Sequence, residues 1–263
     1  MEKINSNMKP EQLHALALRR MKEVFPEEER FGDVYLRKGE EMLCEGDRTY
    51  IYFSGPVYFK DEFVNAKMVN RLQNGARILS IGTGEGHLEK LLNQSFAIPQ
   101  DQISITDYPE IHPRIKSTGF KEYVFDMTQT WPKLDGKFDY IIFPESLNIA
   151  TMKFRGNVMT SRFFDTVNKV TSLASRGKLE EIPGSDANFF IDLIEQDIPV
   201  VKIKHDIINQ ALEILNPNGE IRISSGIKEY QQIAYMQLRL KRENKNISFP
   251  KVKYKNQFYI KKR

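Results

Sequence analysis

The stretch RILSIGTGEGHLEKLL, Arg77 to Leu92, sets an unbroken apolar run against glycine at three alternate positions and then against a helix-like pattern. Arg77 to Ile81 reads as a buried strand, the form taken by strands of a parallel sheet. Glycine at 82, 84 and 86 lets the backbone turn sharply and keeps Cβ atoms away from whatever approaches the turn. The free N–H groups at the start of the next helix then face that ligand. Strand, glycine turn and helix in this order predict an α/β sheet with a ligand outside the carboxyl ends of its strands.

The chain repeats the alternation. QISITD (Gln102 to Asp107), EYVFD (Glu122 to Asp126), FDYIIF (Phe138 to Phe143) and GEIRISS (Gly219 to Ser225) read as further strands, the last preceded by the helix HDIINQALEIL. Short apolar strands alternating with helices imply parallel crossovers. KEYQQIAYMQLRLKREN reads as a closing helix, and ISFPKVKYKNQFYIKKR as two strand-like pieces with a turn near Lys255 and Asn256. The expected fold is therefore Rossmann-like, a seven-stranded and mostly parallel sheet that ends in an antiparallel hairpin. Residues 1–74 read as an N-terminal helical and mixed extension, with Leu13, Leu16 or Ala17, Met21 and Val24 at helical spacing. Residues 75–263 read as the sheet domain, interrupted by an insert over about 149–204 that is too long for an ordinary crossover.

Composition narrows the function. A chain of 263 residues with 40% hydrophobic residues can bury a full core, and a net charge of +4 points neither to nucleic acid nor to a membrane surface. The single cysteine, Cys44, rules out internal disulfides and thiolate clusters and fits a reducing, cytoplasmic setting. No apolar run approaches the roughly 20 residues that span a bilayer, and no export signal is read at the N-terminus. His14, His112 and His205 are scattered, and DYPEIH, with Asp107, Glu110 and His112, is a poor metal motif, so no metal is expected.

Two ligand classes compete for the bend. A dinucleotide site wants G-x-G-x-x-G, and His87 stands where the last glycine belongs. The spacing of Gly82, Gly84 and Gly86 instead resembles motif I of the S-adenosylmethionine-dependent methyltransferases with a Rossmann-like fold, and the resemblance runs from about Asn74 to the C-terminus. It implies S-adenosylmethionine as cofactor, held by Ser80, Gly82, Thr83, Gly84 and Gly86 at the bend. Asp107 and Tyr108 follow at the second strand, where the family's acidic residue meets the ribose hydroxyls. Asp126 and Met127 follow at the third, near the adenine, and Phe143 and Pro144 at the fourth. Taken singly, an aspartate at a strand tip is more often a cap or turn residue. In this order the acidic positions reinforce one another.

Departures from the family pattern matter as well. Ser80 stands where the family has an acidic residue that orients the cofactor's amino group, so affinity would be lower or rest on another carboxylate such as Glu85. FPES in place of Asn/Asp-Pro-Pro-Tyr/Phe disfavours planar amide and adenine amino acceptors. The resemblance implies transfer of a methyl group to oxygen or nitrogen of a small molecule, with Glu145 and Tyr108 as candidate catalytic residues and His87 as structural. RNA or protein acceptors, and a binding module without chemistry, are the alternatives. Lys153, Arg155, Arg162, Lys169, Arg176 and Lys178 make the insert basic. That pattern suits an anionic partner or a solvated helical face about equally. Lys251, Lys253 and Lys255 would share one face of a strand, as an edge guard or a nucleic-acid contact.

Overall fold

The computed structural model describes residues 3–24, 28–31, 34–37, 55–116, 118–144, 146–151, 165–224, 227, 230–243, 246–252 and 257–263. The chain divides into two compact units, Met1–Phe125 and Asp126–Arg263. Cys44, Glu145, Lys153, Arg155, Arg162, Lys253 and Lys255 lie outside the described residues.

The first unit opens with α1 (Pro10–Val24), the hairpin β1 (Glu28–Phe31) and β2 (Val34–Arg37), α2 (Gly55–Lys60) and α3 (Ala66–Gln73). In α1, Leu13 and Ala17, one helical turn apart, are fully buried, as the periodicity predicts. Helix α3 starts where the Asn65 side chain accepts a hydrogen bond from Met68 N–H at 3.0 Å, and it buries Ala66, Met68, Val69 and Leu72 along one stripe. The chain start is anchored through α3: Ile4 N–H donates to Gln73 Oε1 at 2.9 Å, and Asn70 Nδ2 donates to the Ile4 carbonyl at 2.8 Å.

Three parallel strands follow: β3 (Ile78–Ile81), β4 (Ile103–Asp107) and β5 (Lys121–Val124). Between β3 and β4 runs α4 (His87–Lys90), which continues as a π-helical turn over Leu91–Ser95, and α5 (Pro113–Lys116) lies between β4 and β5. Every residue of β3 and β4 is buried, as in a sheet covered on both faces. Helix α1 packs on α2 and on the π-helical turn. The Phe59 ring of α2 meets Phe96, just beyond that turn, at a centroid distance of 5.0 Å. The N-terminal segment is thus fixed against the element that carries the glycine bend.

The second unit contains β6 (Phe138–Phe143), α6 (Ser146–Thr151), α7 (Asp165–Ser175), α8 (Gly184–Asp197), α9 (Val200–Glu213), β7 (Leu215–Ile223), α10 (Tyr230–Glu243), β8 (Ile247–Ser248) and β9 (Phe258–Lys262). Strands β6 and β7 are parallel, β9 is antiparallel to β7, and β8 pairs antiparallel with β9, giving the expected terminal pairing. The seven strands run in the order β5-β4-β3-β6-β7-β9-β8, which is the Rossmann-like, mostly parallel sheet with an antiparallel end.

Details depart from the sequence reading. The third strand ends at Val124, so Asp126 lies two residues past its end. Asp126 Oδ1 accepts from Thr128 N–H at 2.9 Å and from the Thr128 hydroxyl at 2.7 Å, a local turn that competes with further pairing. Strand β7 begins at Leu215, ahead of Gly219, because Leu215 already pairs with Phe138 before the register shifts. Lys251 is outside any strand. The described residues of the insert are mainly helical, and α7 and α8 both pack on α10. Three of its basic residues are engaged locally: Lys169 with Asp186 at 2.9 Å, Lys178 with Glu181 at 2.7 Å, and Arg176 with the Ser172 hydroxyl at 2.6 Å. These are pairs of a solvated face, each contributing little to stability.

Among the described residues no helix is long and apolar enough to cross a membrane, and no group of histidine, cysteine, aspartate or glutamate could hold a metal ion.

Candidate cofactor site

The bend is built by tying the end of β3 to the end of β4. Beyond Ile81 the backbone N–H groups of Gly82 and Thr83 both donate to the Thr106 carbonyl at 2.9 Å. The Thr83 hydroxyl donates to the same carbonyl at 3.1 Å and to Ser80 O at 3.3 Å. The chain then turns with φ of 70° at Gly82, 59° at Gly84 and 76° at Gly86. Each is a left-handed conformation that side chains resist, so all three glycines are required by geometry. At Gly86 a Cβ would also overlap the Ile115 side chain, lying 2.7 Å from its Cγ1, so helix α5 closes on the bend only because position 86 is bare.

Asp107 ends β4 and clasps the bend. Its Oδ2 accepts from Gly84 N–H at 2.9 Å and its Oδ1 from Tyr108 N–H at 2.9 Å. Charge-assisted bonds of this kind are the strong ones. Tyr108 follows directly, 52% exposed. Glu85, between the second and third glycines, has its carboxylate 4.0 Å from His112 Nε2. His87 is the first residue of α4, half-buried.

The first unit thus brings together Ser80, Gly82, Thr83, Gly84, Gly86, Asp107 and Tyr108. Asp126, Met127, Phe143 and Pro144 belong to the second unit. There Met127 is buried with its carbonyl accepting from Trp131 Nε1 at 3.0 Å. Phe143 is the buried last residue of β6, with its carbonyl accepting from Ser224 N–H at 3.1 Å, and Pro144 is half-buried after it.

Sequence reasoning misses Glu89. This residue of α4 is 1% exposed, and burial pushes its carboxyl up to about 7, assisted by the negative charge of Asp107 and opposed by the Ser80 hydroxyl and His87. The available signal is its position in HLEKLL. A helical register with Leu88, Leu91 and Leu92 inside, all buried, puts Glu89 inside with them.

No protein-family model matches the chain, and neither does any curated protein sequence. Solved structures similar in shape include TrmN from Thermus thermophilus, at 13% identity and a TM-score of 0.39, covering 76% of this chain. The chain spans about half, 49%, of the length of TrmN. A SAM-bound amino pentose methyltransferase of calicheamicin biosynthesis from Micromonospora echinaspora is 10% identical with a TM-score of 0.39, covering 74% of this chain and 87% of its own. A TehB-like SAM-dependent methyltransferase from Corynebacterium glutamicum is 14% identical with a TM-score of 0.36, covering 74% and 87% respectively. At these scores the likenesses add nothing to the fold, which rests on the strand order itself.

Proposed function

We propose that this chain is an S-adenosylmethionine-dependent methyltransferase acting on oxygen or nitrogen of a small-molecule acceptor. The observation that supports it is the bend itself: three left-handed glycines after a buried parallel strand, with the middle one hydrogen-bonded to an aspartate at the end of the neighbouring strand. That arrangement leaves backbone and a carboxylate, but no side-chain bulk, facing a ligand beyond the strand ends. The donor set fits the cofactor, with Asp107 for the ribose and the bend for the amino acid end.

When bound, S-adenosylmethionine would supply an electrophilic methyl on a sulfonium for in-line transfer to the acceptor's lone pair, with S-adenosylhomocysteine as the leaving group. The protein's part is to position the two and keep water out. Asp107 fixes the bend and accepts the ribose. Tyr108, exposed beside it, is proposed from the sequence as a contact to the acceptor. Glu145, the other catalytic candidate, is proposed from the sequence as the group that holds an acceptor proton.

Isothermal titration of the pure protein with S-adenosylmethionine, S-adenosylhomocysteine and NADH is the test. Micromolar binding of the first two, no binding of NADH, and loss of binding in a folded Gly84→Val protein are expected. Binding of NADH alone, or full affinity in Gly84→Val, overturns the reading.

A further inference from the structure

Two polar groups on the elements either side of the bend are buried. Ser80 is fully buried on β3, and Glu89 is almost fully buried on α4. Neither Ser80 Oγ nor Glu89 Oε1 has a hydrogen-bond partner of proper geometry, although the two side chains are close enough for the hydroxyl to oppose the rise in the acid's pKa. A buried carboxyl with one oxygen unpartnered works against folding. Buried acids of this kind cluster at functional sites.

Resting on the cofactor reading above, we propose that Glu89, set against Ser80 behind the glycine bend, supplies the negative charge that attracts the ammonium at the amino acid end of S-adenosylmethionine. The resembled family carries an acidic residue where this chain has Ser80. Here the charge comes from the facing helix, three residues after the last glycine. Glu85, the substitute that the sequence suggests, faces His112 instead. Because Glu89 is almost without exposed surface, it acts as a positioning residue through its field, which a low-dielectric interior transmits well.

The readout separates charge from structure. S-adenosylhomocysteine carries the ammonium, whereas 5′-methylthioadenosine has the same adenosine and no amino acid end. Glu89→Gln should weaken the first by about tenfold or more, the equivalent of one pKa unit of coupling, and leave the second unchanged. For the wild type, the ratio of the two affinities should rise between about pH 6 and about pH 8 as Glu89 ionises. Ser80, His87 and Asp107 act on the Glu89 carboxyl, Lys90 shares its helix, and Tyr58 and Lys60 lie on α2, which packs on α4. The slope assigned to Glu89 is the part that Glu89→Gln removes. Ser80→Asp, added to Glu89→Gln, should restore affinity for S-adenosylhomocysteine.

Equal loss of both ligands in Glu89→Gln would make the residue merely structural, and unchanged affinity for S-adenosylhomocysteine would show that its charge is not used. Either result overturns the proposal while leaving the cofactor reading intact. Wild-type protein that binds neither ligand removes the cofactor reading itself.

Discussion

Glu89→Gln should melt at a higher temperature than the wild type at about pH 8 and at the same temperature near pH 4. The folded protein raises this carboxyl from 4.5 to about 7. A raised folded pKa means that the contribution to stability is fully present below the unfolded value and is lost as pH rises through the folded one. Between those limits the wild type loses about 3 kcal/mol, at about 1.4 kcal/mol per unit, because it must either hold a buried charge or bind a proton. Glutamine has the same shape and never ionises, so it escapes that loss. In a chain of this size the difference corresponds to several degrees in Tm at alkaline pH. Thermal unfolding of both proteins across the pH range checks it, and parallel curves would show that Glu89 is not held in the environment described. A group that destabilises the fold at working pH, yet is kept in the core, is what a functional site looks like energetically.

Asp107→Ala should have the other large effect, on stability and binding together. Removing the carboxylate leaves Gly84 N–H and Tyr108 N–H without their acceptors. The cost is about 1–3 kcal/mol for each donor that water cannot reach. The same substitution removes the ribose acceptor, so S-adenosylhomocysteine should bind about a hundredfold more weakly, or not at all. Asp107→Asn should fall between, since its amide can accept at one position but presents N–H to N–H at the other. Denaturant unfolding and titration, run on the same samples, separate the two roles. A destabilised Asp107→Ala protein with undiminished affinity would leave Asp107 as a clasp of the bend and withdraw it from the ribose.

Much of the fold is legible in the sequence because its signals are local and strong. Arg77 to Ile81 reads as a buried strand, and the glycines at 82, 84 and 86 as a turn, from the chain alone; the strand is Ile78–Ile81, and the positive φ values show why no other residue would serve at the turn. Asp107 was legible by its place at a strand end. Its hydrogen bond from Gly84 N–H is not, because a bond across 23 residues depends on the register of two strands. Glu89 was missed for a different reason. A glutamate in a helix is nearly always solvated, and only the burial of both neighbouring turns, with α1 and α2 packed on this stretch, turns it inward. The end of the third strand was misplaced because the Asp126 side chain satisfies Thr128 locally in place of the ladder. The basic residues of the insert suit an anionic partner and a solvated face equally well in sequence, and the pairs of Lys169 with Asp186 and Lys178 with Glu181 favour the solvated face for these two.

The most direct test of the bend as a cofactor site is a crystal structure of the protein grown with S-adenosylhomocysteine. Both ribose hydroxyls should lie within hydrogen-bond distance of the Asp107 carboxylate, with the amino acid end over Gly82 to Gly86. Ligand bound elsewhere, with Asp107 holding only Gly84 and Tyr108, would contradict the assignment.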